Sequence, residues 1–127
     1  MNKILYALCW HCVGIMDGWR PYPARAVAQQ AGVSLYAARK ELRRLKQEGF
    51  VDTICEKPSA NDCENMLPYH GWTITPKAYD TEEYVAAANK EAAICADCFG
   101  STKEDYLKVF LGRDSMAQIV GEKEGNR

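Results

Sequence analysis

Arg39, Lys40, Arg43 and Arg44 crowd one short stretch of this chain, with Arg25 ahead of them. At 100° per residue, Tyr36, Lys40, Arg43 and Gln47 fall on one side of a helix, flanked by Arg39 and Arg44, while Ala38, Leu42 and Leu45 form the opposite stripe with Leu35 at its edge. One face can pack, and the other can neutralise phosphate through ammonium and forked guanidinium groups. Cysteine offers a second chemistry. Cys9-Trp-His-Cys12 and Cys95-Ala-Asp-Cys98 are two CxxC pairs, and four thiolates could surround a zinc ion if their helices lay together. Metal-binding pairs of this spacing usually sit on tight turns, whereas Cys9, Cys12 and Cys95 fall on apolar stripes as buried cysteines do, so neither zinc nor redox sensing is the favoured reading. Cys55 reads as a strand residue and Cys63 as a loop thiol. His11 and His70 stand apart from any nucleophile with an orienting carboxylate, and there is no phosphate-cradling glycine loop, so neither an enzyme nor a cofactor is expected.

The elements that must position these groups can be read from local signals. Ser34 can accept from the free amides of a first turn and Gly49 can supply a left-handed stop, which marks both ends of the cationic helix. A shorter helix precedes it from about Ala24 to Ala31, introduced by Pro23, with small apolar positions Val27, Ala28 and Ala31 that allow close crossing; Gly32-Val33 makes the turn between the two. Upstream, Leu5, Leu8, Cys9, Cys12 and Met16 recur at three and four, predicting an amphipathic core helix stopped by Asp17-Gly18. Downstream, residues 50–55 read as a strand and residues 71–74 as its returning partner. The polar segment 56–70 between them is too long for a tight turn. Thr75-Pro76 then returns the chain to helix. Asp80 or Thr81 caps a long run to Phe99, whose apolar stripe is Val85, Ala88, Ala92, Cys95 and Phe99, expected to pack on the first helix or on a second copy of itself. Gly100 ends that run, and Ser101 with Glu104 forms a capping box for a last short helix through Leu111.

The 127 residues suit one domain or a small domain with added helices, and 47% hydrophobic content is that of a soluble protein able to bury a core without staples. The net charge of −1 conceals a division. Between Arg20 and Lys46 stand seven Arg or Lys against the single Glu41, while residues 47 to 79 carry −3 and residues 80 to 127 carry −4. The first sixteen residues imitate a secretory leader, with Lys3 before an apolar run. That run contains His11 and two cysteines, lacks a small-residue cleavage pattern and is too short for a membrane span. A cytoplasmic protein with reduced thiols and no membrane contact is expected.

The pattern Gly32-Val33-Ser34, then Ala38-Arg39-Lys40, Leu42, Leu45 and Gly49-Phe50-Val51, resembles the second half of a GntR-type or MarR-type DNA-binding domain, the winged helix-turn-helix regulators of bacteria and phages. His70 to Lys77 is similar to the strand-to-helix exit of MarR-type proteins, and the resemblance extends over about residues 21–77. It implies a mainly α fold with a small β-hairpin wing and a long C-terminal helix. The expected organisation is a winged helix-turn-helix over 1–79, C-terminal helices serving dimerisation over 80–112, and a flexible tail over 113–127. It further implies that Ser34, Leu35, Tyr36, Arg39, Lys40 and Arg43 face double-stranded DNA, and that Val33, Ala38, Leu42 and Leu45 pack. Arg39 is the first candidate for a bidentate guanine contact; Lys40, Arg43, Arg44 and Arg25 neutralise phosphates. Lys57, the wing's cation, is counted among the DNA-binding residues, but Glu56, Asp62 and Glu64 outnumber it, so the rest of that segment is read as folding away from DNA or serving a protein partner. The expected function is sequence-specific DNA binding by a homodimeric transcriptional regulator. The rival reading is a protein-interaction module that keeps the fold without acting through DNA.

Overall fold

A computed structural model describes residues 1–14, 18, 20–56 and 69–112. Those residues form five α-helices, a short 3-10 turn and a two-stranded antiparallel sheet. Helix α1 spans Lys3–Val13, α2 Ala24–Ala31 and α3 Leu35–Gln47. Strands β1, Val51–Glu56, and β2, Tyr69–Ile74, follow, then the 3-10 turn Pro76–Asp80, α4 Glu82–Phe99 and α5 Lys103–Gly112.

Asn2 ties three helices together. Its side-chain carbonyl accepts from the amides of Ile4 and Leu5, its side-chain NH2 donates to Glu41 on α3 at 2.8 Å, and its backbone amide donates to Glu83 on α4 at 2.7 Å. The helix it opens ends at Val13 with Gly14 as its C-cap, earlier than the Met16 that periodicity alone suggests. The buried side of α1, Ile4, Leu5, Leu8, Cys9, Cys12 and Val13, meets Val27 and Ala28 of α2, Ala38, Leu42 and Leu45 of α3, and Tyr84 and Ala87 of α4 in one apolar cluster. Each fully buried large side chain there, such as Leu8 or Leu42, contributes about 1.5–3 kcal/mol through removal from water. Residues on either side of position 79 thus share a single core.

Short-range signals hold at the turn between α2 and α3. Gly32 adopts φ 71, where a side chain would be strained, and its amide and that of Val33 close the end of α2. Ser34 Oγ accepts from the Ala37 amide at 3.1 Å. At the other end of α3, Gly49 has φ 87 and Phe50 N donates to Leu45 O, while the Lys77 ammonium donates to Glu48 O and lies 4.5 Å over the Phe50 ring. Helix α3 is therefore fixed at both ends.

The strands pair from Val51–Ile74 to Glu56–Tyr69. On the far side of β2, Tyr22 exchanges two backbone hydrogen bonds of 2.9 Å with Trp72. Tyr22 is also stacked on His11, ring centroids 4.0 Å apart, and His11 Nε2 lies 2.8 Å from the Arg20 carbonyl. The hairpin is thereby bound to the chain that leads into α2.

Helix α4 departs from the expected stripe. Thr81 is its cap, but its buried side is Tyr84, Ala87, Ala88, Ala92 and Cys95, whereas Val85 and Phe99 are exposed. The helix packs within its own chain. Tyr84 and Ala87 join the α1 core, Trp10 of α1 donates to Glu91 while stacking under the Lys90 ammonium, and Ala88, Ala92 and Cys95 pack with Phe110 of α5. The last helix begins one residue later than a Ser101 cap requires. Thr102 Oγ1 accepts from the Asp105 amide, and Ser101, at φ 69, instead donates to the Asp105 carboxylate. Lys57, Asp62, Glu64, Cys63 and the tail from 113 lie outside the described residues.

Candidate nucleic-acid interface

Helix α3 turns its packed stripe, Ala38, Leu42 and Leu45, into the core, which leaves Tyr36, Arg39, Lys40 and Arg43 on the outer surface. Tyr36 is 72% exposed. Among the described residues, no carboxylate pairs with Arg25, Arg39, Lys40 or Arg43, so four cations remain free for an external anion. Arg25 stands in the first turn of α2 and, with Gln29, Leu35 and Arg39, borders a recess of about 350 Å³. Arg39 is shared with a larger open groove of about 1050 Å³ between α3 and the hairpin. Arg43 and Lys46 on one wall and Thr53, Cys55, His70 and Trp72 on the other line that groove. The two recesses share Pro23, Ala24 and Arg39 in their linings.

Arg44 does not belong to this surface. Its guanidinium donates through Nε and Nη2 to the two oxygens of Glu41 and through Nη1 to Glu48 at 2.8 Å. The arginine beside it holds the Glu41 carboxyl below the usual carboxylate range, with a smaller contribution from Asn2, against the partial burial that acts the other way. A phosphate contact by Arg44 would have to compete with these two carboxylates, which sets it apart from Arg39, Lys40 and Arg43. The carboxylates three residues before and four after it were the available sequence signal.

Lys46 and His70 were not singled out as site residues, yet both line the groove. Lys46 donates to Thr53 Oγ1 at 3.0 Å and lies 3.6 Å from Asp52, which braces α3 against β1 and partly offsets its charge. Of the other expected site residues, Ser34 is exposed at the cap of α3, Leu35 is half-buried in the smaller recess, and Lys57 lies outside the described residues.

The four CxxC thiols do not gather. Cys9, Cys12 and Cys95 are buried and Cys98 is exposed. Cys12 Sγ lies 3.7 Å from Thr73 Oγ1, and Cys95 Sγ donates to Glu91. Burial, then the neighbouring Cys12 and Glu83, pushes the Cys9 thiol well above its ordinary range; burial likewise raises Cys95. Among the described residues no three His, Cys, Asp or Glu side chains are placed to hold a metal ion, and no helix is long and apolar enough to cross a membrane. Comparison with known protein families, with curated proteins and with solved structures finds no match.

Proposed function

We propose that this chain is a winged-helix protein that binds double-stranded DNA, with α3 as the helix presented to the major groove and the hairpin beside it as the base of a wing, and that it acts as a transcriptional regulator. The observation that carries the reading is the display of free cations: Arg25, Arg39, Lys40 and Arg43 are exposed, unpaired with carboxylates among the described residues, and carried by helices whose opposite faces are locked in the core. A helix held this firmly loses little freedom when it meets a duplex, which favours binding. Arg39, where the two recesses meet, is the candidate for reading a guanine edge; Arg25, Lys40 and Arg43 neutralise backbone phosphates.

One such helix makes few contacts for selecting a site, so the proposal includes pairing of two copies on a two-fold operator. The apolar stripe of α4 is already covered by α1 and α5, so pairing uses what those helices leave exposed, Phe99 and Val109 among them. Sedimentation velocity reads this directly, a monomer at every concentration being the contrary result.

The test of the main reading is duplex binding by the Arg39→Ala/Arg43→Ala double variant. Binding is lost while helical content by circular dichroism stays unchanged. Undiminished binding shows that the face is misassigned, and a wild-type chain without affinity for any duplex at low salt favours a protein-interaction module.

A further inference from the structure

The wall of the groove opposite α3 carries a thiol. Side chains two apart on a strand share a face, and Cys55 pairs with His70 just as Thr53 pairs with Trp72, so these four line the groove together. Cys55 is exposed, and its Sγ lies 3.9 Å from His70 Nε2. Facing the pair are Arg39, Arg43 and Lys46. The other exposed cysteine among the described residues, Cys98, stands beside Asp97 near the end of α4, away from this groove.

We infer that Cys55 is a modification site for small anionic disulfides such as oxidised glutathione, and that the adduct closes the groove. The cations draw in the carboxylates of such a molecule, and the groove has room for it. In the tautomer with an unprotonated Nε2, His70 accepts the Cys55 proton. The thiolate attacks one sulfur of the disulfide; a new S–S bond forms as the old one breaks, and the departing half leaves as a thiolate that takes a proton from solvent. Cys55 is oxidised and the small disulfide reduced, with no other oxidant involved. The attached carboxylates then occupy Arg39, Arg43 and Lys46 and exclude a phosphate backbone. That consequence, unlike the modification itself, rests on the DNA-binding reading above.

The full chain is treated at low ionic strength with two methanethiosulfonates, one ending in a sulfonate and one in a trimethylammonium group. Labelling is followed by peptide mapping after cleavage at glutamate, which separates Cys55 from Cys63. Cys55 reacts faster with the sulfonate by on the order of tenfold. The preference shrinks towards parity in ~1 M salt and in Arg39→Ala/Arg43→Ala, and is absent at Cys98. Equal rates at Cys55, or a preference for the ammonium reagent, overturn the site. In a second arm, oxidised glutathione adds one glutathionyl group at Cys55, duplex affinity falls and returns with dithiothreitol, and Cys55→Ser is indifferent. An adduct that leaves duplex affinity intact overturns the closure. Charge-selective labelling of a chain that binds no duplex even when unmodified upholds the site and removes the DNA reading.

Discussion

Arg44 and Glu41 meet face to face on the exposed side of α3, the guanidinium donating to both carboxylate oxygens. The pair separates two kinds of cation that one charge count merges. Arg43 has no carboxylate partner among the described residues, and its chain neighbour has two.

Arg44→Ala is therefore expected to leave duplex affinity within about twofold and the dependence on salt unchanged, with little effect on stability, as for an exposed ion pair. Arg43→Ala and Lys40→Ala each weaken binding and reduce the salt slope by about one. Fluorescence anisotropy at several salt concentrations distinguishes them. Equal losses for Arg43→Ala and Arg44→Ala would place both on the DNA.

Acid stability follows from the same pair. Glu41 is held below the ordinary range first by Arg44, and its unfolded pKa is about 4.3. Because the folded value is the lower one, its contribution is fully present above the unfolded pKa and is lost as pH falls through the folded pKa. As pH falls from about 5 through the carboxylate range, wild-type stability declines more steeply than that of Glu41→Gln. Urea titrations across that window measure the difference, and parallel profiles contradict it.

Gly71 is where β2 passes Tyr22 too closely for a side chain. A Cβ there would lie 2.7 Å from the Tyr22 backbone, at the point where Tyr22 and Trp72 exchange their hydrogen bonds. Gly71→Ala is expected to cost about 1–3 kcal/mol as an overpacking change, and to loosen the hairpin from the chain entering α2. A variant as stable as wild type in denaturant would show that this docking is weak.

The segment from α2 through α3 to β1 was legible because its signals are local. Ser34, Gly32 and Gly49 each act within a few residues of themselves, and the strand pair follows from short apolar runs. What was not legible depends on partners far along the chain. On an alanine-rich helix several stripes satisfy a spacing of three and four, and only packing against α1 and α5 selects Tyr84 and Ala87 over Val85 and Phe99. The Tyr22–Trp72 bridge and the positions of Lys46 and His70 in the groove likewise arise from tertiary docking. Adjacent candidates also compete at helix ends. Gly14 stops α1 before Gly18, and Thr102 caps α5 in place of Ser101.

The most direct measurement is the slope of log affinity against log salt for a short duplex, in the wild type and in Arg39→Ala/Arg43→Ala. With Arg25, Arg39, Lys40 and Arg43 engaged, each chain should give a slope of about −3 to −4, falling in magnitude by about two in the variant. A slope near zero, or the same slope in both proteins, would contradict the assignment of α3 as the surface that meets nucleic acid.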